Sequence, residues 1–420
     1  MKNDNVSRIA KSDPTILAFG EKLCNKHGQD EDKHNYIRQK MREMARLLQE
    51  LRKSTQSQDH KLASFFHPKY FRCIVACSKS ISQFDETSNR YGTPSLALKI
   101  GHSLQKCVKI AIGDYIEARD RHSEEAAQDL QKLIDLNWTD EVSINALKTI
   151  QEEKRKKGNT ILPLAEDVKQ LSDHLKTKAA TEYKMLQSTD DEAMFVKSWT
   201  SLNEIVLAQL ILFNRRRSGE ASKMKVSDYQ NRHTANENSQ FDKILSDFEK
   251  KLCKAMPRVE ILGKRDRPVP VLFPSNISRS IDVLLLHRDR VVDHNNKYLF
   301  PTVHYGALSH IRGSDCMRKF ANECGAKEPD RLRSTKLRKH IATMSQVLNL
   351  QDNELDILAR FMGHDIRVHR EFYRLPEATV QVAKVSKLLL QMEDGGTGLV
   401  PGERLEDVQL DDNDIIEGKN

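Results

Sequence analysis

Four short segments in the second half of the chain carry side chains that could act together on a phosphate ester. Guanidinium groups bind phosphate oxygens through paired hydrogen bonds. A tyrosine can attack phosphorus as a nucleophile, and lysine or histidine can transfer the accompanying proton. The candidate residues are, in chain order, Arg217, Lys264, Arg338, His364 and Tyr373.

Each candidate also has a simpler explanation when it is considered alone. Arg217 and Glu220, three residues apart, could form a surface ion pair that contributes only about 0.2–0.5 kcal/mol. Lys264 could be a solvated turn residue, Arg338 could lie on the solvated face of a helix, and Tyr373 could be a core aromatic. The order and spacing of the whole set therefore carry the argument.

In that order and spacing, the segments resemble the catalytic domain of the tyrosine recombinases, the phage-integrase superfamily. The resemblance covers about residues 162–390, and the general pattern is most similar to the recombinases of Crypton-type eukaryotic transposons. Arg217 and Glu220, followed by Met224 and Asp228, match an Arg-x-x-Glu box, and Gly263-Lys264 matches a β-hairpin that carries a lysine. Leu337-Arg338 with Ala342-Thr343 matches a second arginine box. Gly363-His364 matches a Gly-His pair, and Tyr373 follows nine residues after the histidine.

The resemblance implies DNA cutting and rejoining without a metal or another cofactor. Tyr373 would attack the phosphorus, form a 3′-phosphotyrosine ester and release a 5′-hydroxyl, and a second DNA strand could reverse this step without ATP. Arg217 and Arg338 would hold the non-bridging oxygens. Lys264 would protonate the leaving oxygen and His364 would hydrogen-bond the phosphate. A free tyrosine has a pKa of ~10, so surrounding positive charge must favour the phenolate.

The sequence departs from the family pattern at Thr335. This residue stands three positions before Arg338, where the family usually has a histidine. His340, Lys339 or Thr335 itself could substitute for the missing side chain. The alternative function is therefore a catalytically inactive, recombinase-derived protein that only binds DNA. A topoisomerase of the same chemistry and a helical interaction protein without a nucleic-acid role are further alternatives.

The charge distribution favours a polyanionic partner such as double-stranded DNA. The chain of 420 residues has a formal charge of +8. Residues 393–420 contain nine acidic and two basic residues, a net charge of −7, so the rest of the chain carries +15. A basic surface of this kind is typical of nucleic-acid-binding proteins, although a mixed, solvated surface would also account for it.

The cysteines and the apolar pattern predict an intracellular protein. There are seven cysteines and no Cys-x2-Cys pair, which indicates a reducing compartment rather than a disulfide framework. We expect Cys73 and Cys77 to be core thiols on one helix face. No apolar run approaches the ~20 residues of a membrane span, and the first residues are not those of a secretory signal. With DNA as partner, the expected location is the nucleus.

The elements that must position these residues are predicted to form a mainly α-helical, two-domain protein with a small antiparallel β-hairpin. Residues 1–157 would form a helical, core-binding-like domain that contacts DNA, 158–392 the catalytic domain, and 393–420 an acidic disordered tail. Strand exchange needs one tyrosine per DNA strand, so a homodimer or homotetramer on DNA is expected. The last helix, near residues 382–392, could then pack onto a neighbouring protomer.

Apolar periodicity and breaker residues predict the individual elements. Residues 1–13 are expected to be a flexible lead, and a hairpin is predicted from strands 259–262 and 268–273, the second of which should be an edge strand because it contains two prolines. In an unbroken helix, nine residues turn through roughly 900° and place His364 and Tyr373 on opposite faces, so a break after Gly363 is predicted. The predicted helical segments are 14–54, 95–118, 124–136, 168–175, 182–230, 276–288, 302–323, 334–348, 354–362, 366–373 and 377–392.

Overall fold

A computed structural model describes residues 3–28, 33–156, 162–232, 246–263, 267–304, 306–347 and 352–363. The described chain is mainly helical, with two antiparallel sheets of two strands each, and this confirms the predicted fold class. It divides into two compact units, Met1–Gly158 and Asn159–Asn420. In the described ranges we find no helix with the length and apolar character that crossing a membrane requires.

The first unit is a helical bundle with one very short sheet. Two 3₁₀ turns precede α4, and a π-helical turn joins α6 to α7. The predicted helices at 14–54, 95–118 and 124–136 are confirmed. The elements are α1 (Asn5–Ser12), α2 (Pro14–His27), α3 (Lys33–Thr55), α4 (Phe71–Ile81), β1 (Phe84–Asp85), β2 (Arg90–Tyr91), α5 (Pro94–Ala118), α6 (Arg121–Trp138) and α7 (Ile144–Lys156).

The prediction of a flexible lead over residues 1–13 is wrong, because α1 forms there. Asp4 caps this helix by accepting a hydrogen bond from the Ser7 amide at 2.9 Å, an arrangement that satisfies one of the free amides of a helix start. Arg42 of α3 pairs with the Asp4 carboxylate at 2.7 Å. Ile9 and Ala10 are buried, so the lead packs on the bundle.

Two close approaches show how tightly the helices of this unit pack. A Cβ atom added at Gly101 of α5 would lie 2.4 Å from Nε1 of Trp138, so only glycine fits at this crossing with α6. On α4, the Sγ atoms of Cys73 and Cys77 lie 4.0 Å apart. Cys77 is buried as expected, whereas Cys73 is half-buried, and burial raises the pKa of Cys77 to about 12.

The second unit is built around one apolar helix, α9. Fourteen of its 23 residues are buried, which is typical of a helix that is covered on all sides. Helices α8, α10, α13, α14 and α15 all contact it. The elements are α8 (Ala165–Ser188), α9 (Glu192–Asn214), α10 (Ser218–Ser222), α11 (Val226–Gln230), α12 (Asp247–Ala255), β3 (Arg258–Leu262), β4 (Pro268–Leu272), α13 (Ser275–Leu286), α14 (Gly313–Glu323), α15 (Ser334–Val347) and α16 (Asp352–Met362).

The predicted hairpin is confirmed as the antiparallel pair β3–β4. Its register runs from Arg258 opposite Leu272 to Leu262 opposite Pro268. Buried valine and isoleucine side chains alternate with outward-facing residues on both strands, as expected for strands with one face on a core. With only two strands in this sheet, β4 has a free edge, which tolerates its prolines.

The predicted helix over 302–323 is wrong in its first half, since α14 begins only at Gly313. The preceding residues fold back on themselves instead: the Thr302 amide donates to the Ser309 carbonyl at 2.9 Å. The buried Asn296 side chain also donates to the Ser309 carbonyl at 2.9 Å. Gly306 takes a positive φ of 70° in this turn, a conformation that favours glycine.

The other predicted helices of this unit agree with the structure where it describes them. Segments 276–288, 334–348 and 354–362 correspond to α13, α15 and α16. Segment 168–175 is the first part of the longer α8, and 182–230 contains the end of α8 with α9, α10 and α11. The predicted helices at 366–373 and 377–392 and the acidic tail lie outside the described residues.

Candidate phosphate-binding site

The site begins where α9 ends against the free edge of β4. The buried Asn214, the last residue of α9, bonds to Leu272 in both directions. Its Nδ2 donates to the Leu272 carbonyl at 2.9 Å, and its Oδ1 accepts from the Leu272 amide at 2.8 Å. Asn214 thus takes the place of a neighbouring strand, and the residues that follow it are fixed relative to the hairpin.

Arg215 then turns the chain sharply out of α9. Its φ is 52°, in the left-handed region that non-glycine residues seldom occupy. The turn ends at Arg217, which precedes α10. The Arg217 guanidinium is half-exposed and pairs through Nη1 with Oε1 of Glu220 at 2.8 Å. The Arg-x-x-Glu box is therefore a local ion pair that holds Arg217 in one orientation.

Arg338 lies beside this turn although it comes from α15, more than a hundred residues later. Only 3% of the residue is exposed. Its Nη1 donates to the Arg215 carbonyl at 3.0 Å, and its Nη2 donates to the carbonyl of Met362, the last residue of α16, at 2.7 Å. A carbonyl at a helix C-terminus attracts cations. Arg338 therefore joins α15 to the end of α16 and to the arginine turn.

Arg216, between these residues, is entirely buried. Its Nη2 donates to the carbonyl of Pro270 on β4. Its guanidinium carbon lies 4.6 Å from the ring centre of Phe361 on α16, a cation–π arrangement. Burial, and then the charge of Arg338, lowers the pKa of Arg216 to about 9, so the side chain is still a cation at neutral pH.

The two glycines that precede Lys264 and His364 in sequence, Gly263 and Gly363, both lie close to the side chain of Val269. A Cβ atom added at Gly263 would lie 3.1 Å from Cγ1 of Val269, and one added at Gly363 would lie 2.5 Å from that atom. Gly363 has a φ of 65°, which confirms it as the predicted stop of α16. The hairpin and the end of α16 therefore approach each other closely at Val269.

Of the predicted set the structure describes Arg217 and Arg338, and Arg338 bonds to the carbonyl of Arg215 in the turn that ends at Arg217. Lys264, His364 and Tyr373 themselves lie outside the described residues, and their roles stay predictions.

The three possible substitutes for the family histidine all lie on α15. Thr335 is exposed, while Lys339 and His340 are half-buried. Burial, and then the nearby charge of Arg215, lowers the pKa of His340 below its ordinary value, so that this imidazole is neutral at pH 7. An arginine of the turn therefore acts electrostatically on His340.

The sequence interpretation missed Arg215 and Arg216. A signal was present, because three arginines in a row directly follow α9, the most apolar of the described helices. The backbone there is too near the core for all three side chains to reach solvent. The resulting cluster consists of Arg215, Arg216, Arg217 and Arg338, and the carboxylate of Glu220 acts on Arg216 and Arg217. Such an excess of fixed positive charge attracts an oxyanion.

A groove of about 590 Å³ adjoins the cluster between the hairpin and α16. Three arginines line it, namely Arg258, Arg267 and Arg360. The first of them pairs with Glu260 on the same strand. The groove thus places two further guanidinium groups, those of Arg267 and Arg360, close to the arginine cluster, beside the apolar side chains of Leu272, Ile357 and Phe361.

Comparisons with known proteins find solved structures to which the chain is similar, and two of them are complexes of a site-specific recombinase. No protein-family model matches the chain, and no curated protein matches it. The chain is similar to XerH site-specific recombinase bound to palindromic difH substrate in a post-cleavage complex, with 13% identity and a TM-score of 0.41 over 88% of this chain and 96% of that one. It is also similar to the pre-cleavage XerH complex with difH, with 12% identity and a TM-score of 0.39 over 92% and 96%.

Proposed function

We propose that the chain cuts and rejoins double-stranded DNA by the tyrosine-recombinase reaction. The observation that carries the proposal is the convergence of four sequence segments. Arg338 bonds to the turn that contains Arg217, and Gly263 and Gly363, which precede Lys264 and His364, both lie close to Val269. A structural ion pair or a solvated helix face would explain each segment alone but gives no reason for all four to converge.

In the proposed reaction, the scissile phosphate binds at the exposed side of the arginine cluster. Arg217 binds the non-bridging oxygens directly, and Arg338, whose Nη1 and Nη2 donate to backbone carbonyls in the buried part of the cluster, adds its charge to their stabilisation. The Tyr373 phenolate attacks the phosphorus and remains bound as a 3′-phosphotyrosine ester. The Lys264 ammonium donates a proton to the leaving 5′-oxygen. His364 donates to the phosphate, and His340 is our choice for the role of the missing histidine. Several lysines and arginines near the phosphate would favour the phenolate of Tyr373.

For the first unit we propose a DNA-contacting role, supported by a row of basic side chains on α5. Lys99, His102, Lys106 and Lys109 recur every three or four residues, so they share one helix face, and all four are exposed. In the part of this unit that the structure describes, the ion pairs are formed by cations outside this row, such as Lys40 with Glu43 and Arg72 with Glu141. A row of basic side chains that is not neutralised by acidic neighbours fits the phosphate backbone of a duplex.

The finer parts of the proposal follow from the reaction and from the resemblance. Strand exchange requires one tyrosine for each strand, so we propose a homodimer or homotetramer on DNA. A protein that acts on chromosomal DNA in a eukaryotic cell would work in the nucleus, and a Crypton-type transposon recombinase is the proposed sub-family. The last predicted helix, near residues 382–392, is the proposed contact between protomers.

An experiment that traps the covalent intermediate tests the proposed reaction. Duplexes carry a nick close to random candidate sites, so that the short cleaved strand diffuses away and the covalent intermediate accumulates. They are incubated with the full chain without metal, and the mixture is then denatured. A protein–DNA adduct that maps to Tyr373 and is absent in Tyr373→Phe, which should still bind DNA, is the expected result. An adduct that persists in Tyr373→Phe contradicts the assignment of the nucleophile.

A second candidate function, a recombinase-derived protein that binds DNA without cutting it, is favoured by the exposed Thr335. It predicts clean binding and no adduct across salt and pH.

Binding of DNA through α5 is tested by replacing Lys99, Lys106 and Lys109 with alanine. The slope of log K against log salt should become shallower by about 0.9 for each phosphate that the variant no longer neutralises. Lys132→Ala is the control, because this exposed lysine already pairs with Asp129. An unchanged slope in the triple variant contradicts the proposed surface.

A further inference from the structure

Arg216 contacts three parts of the candidate site at once. It belongs to the turn between α9 and α10, its Nη2 donates to the Pro270 carbonyl of β4, and its guanidinium packs on the ring of Phe361 of α16 at 4.6 Å. Pro270 lies one residue from Val269, against which Gly363 is packed. One side chain therefore connects the arginine turn, the hairpin and the end of α16.

This arrangement is costly for a residue that only fills space. Arg216 is fully buried, and its Nε and Nη1 have no hydrogen-bond partner among the described residues. Arg338 and Arg217 add like charge nearby, and the charge of Glu220 offsets only part of it. A buried cation without a hydrogen-bonded carboxylate loses more hydration energy than one carbonyl bond returns. An apolar side chain of similar length would pack in this space at lower cost.

We propose that Arg216 is a positioning residue, which holds the hairpin and the end of α16 at a fixed place relative to Arg217. This inference rests on the proposed function. Lys264 stands in sequence between β3 and β4, so in the proposed reaction the position of this strand pair affects the transfer of the lysine proton to the leaving 5′-oxygen. The proton moves from Lys264 to that oxygen as the phosphorus–oxygen bond breaks. Arg216 touches neither atom and acts through the strand.

The test compares two leaving groups in the full chain. A normal substrate needs a proton at its 5′-oxygen, whereas a substrate with sulfur at the bridging 5′-position expels a stable thiolate without one. Arg216→Met should slow adduct formation on the oxygen substrate by about 100-fold, the range of a misplaced general acid, and on the sulfur substrate by less than about tenfold. Lys264→Ala should show the same pattern, and Arg216→Lys, which keeps a donor, should recover part of the rate.

A residue with a merely structural role would give another result. If Arg216→Met slows both substrates by the same factor, the positioning role is overturned. Arg288→Met is the matched control, because Arg288 also donates to two backbone carbonyls, those of Asn296 and Tyr298, but is not a member of the arginine cluster. It should leave the ratio of the two rates unchanged. Absence of any adduct from the wild type would contradict the proposed function itself.

A second measurement does not depend on catalysis. If Arg216 holds β4, the amides of β3 and β4 should exchange with deuterium at least about tenfold faster in Arg216→Met, because the strand pair opens locally more often. The amides of α13 serve as the internal reference. The melting temperature should stay equal or rise, since the variant removes a buried cation. Unchanged exchange in the hairpin overturns the inference whether or not an adduct forms.

Discussion

Replacing Asn214 by alanine should release the edge of β4 from the end of α9. The variant loses the two bonds to Leu272 and leaves that residue's amide and carbonyl without their partner. An unsatisfied buried polar group costs about 1–3 kcal/mol. Both groups are only partly buried, so the lower part of this range applies to each, and the free energy of unfolding of the second unit should fall by about 2–3 kcal/mol.

Urea denaturation followed by tryptophan fluorescence measures this change. Trp199 of α9 is buried and donates to the Leu284 carbonyl at 3.1 Å, so it reports on the second unit once Trp138 has been replaced by phenylalanine in every variant. Asn276→Ala is the control, because Asn276 is exposed on α13 and should change stability by less than about 0.5 kcal/mol. A loss below about 0.5 kcal/mol for Asn214→Ala, with unchanged amide exchange at Leu272, would refute the reasoning.

Two further predictions concern packing and pH. Gly101→Ala should lower the free energy of unfolding of the first unit by about 1–3 kcal/mol in urea denaturation, because the new methyl group overlaps Trp138. This overlap outweighs the better helix propensity of alanine. Equal or higher stability of the variant would contradict the close crossing of α5 and α6. Burial and Arg215 lower the pKa of His340 in the folded state below the ordinary histidine pKa of 6.5. The unfolded wild type therefore binds more protons than the folded wild type as the pH falls from 8 to 5, and the wild type loses stability. His340→Gln lacks this group and should gain stability relative to the wild type over the same pH range. A stability difference that is the same at both pH values would argue against this burial.

Much of the fold was predictable from local patterns. The helix α5 and the hairpin β3–β4 follow directly from apolar periodicity, turn residues and prolines. The lead was misread because a single capping residue, Asp4, starts α1, and because its partner Arg42 comes from a distant helix. The segment before α14 was misread because the buried Asn296 holds it through backbone carbonyls, and a pattern of apolar residues does not reveal such bonds.

The candidate site was predictable in its parts but not in its arrangement. The Arg217–Glu220 spacing gives the local ion pair, and Gly363 gives the helix end, because both depend on neighbours in sequence. The burial of Arg216 depends on Pro270 and Phe361. These residues are far from Arg216 in sequence, so no local rule predicts that they contact it in the folded chain. Long-range packing of this kind decides which of several neighbouring arginines faces the core and which faces a ligand.

The nearly complete burial of α9 has a consequence for the synthesis of the protein. Helix α8 is synthesised before α9 and α10 directly after it, but α13, α14 and α15, which also contact α9, begin about 60 to 120 residues after its end. At a synthesis rate of about 5–20 residues per second, α14 follows α9 by roughly 5–20 s. During that interval the nascent chain exposes the part of the apolar surface of α9 that α13, α14 and α15 later cover, so production of the protein should depend on temperature and on chaperones that bind apolar segments.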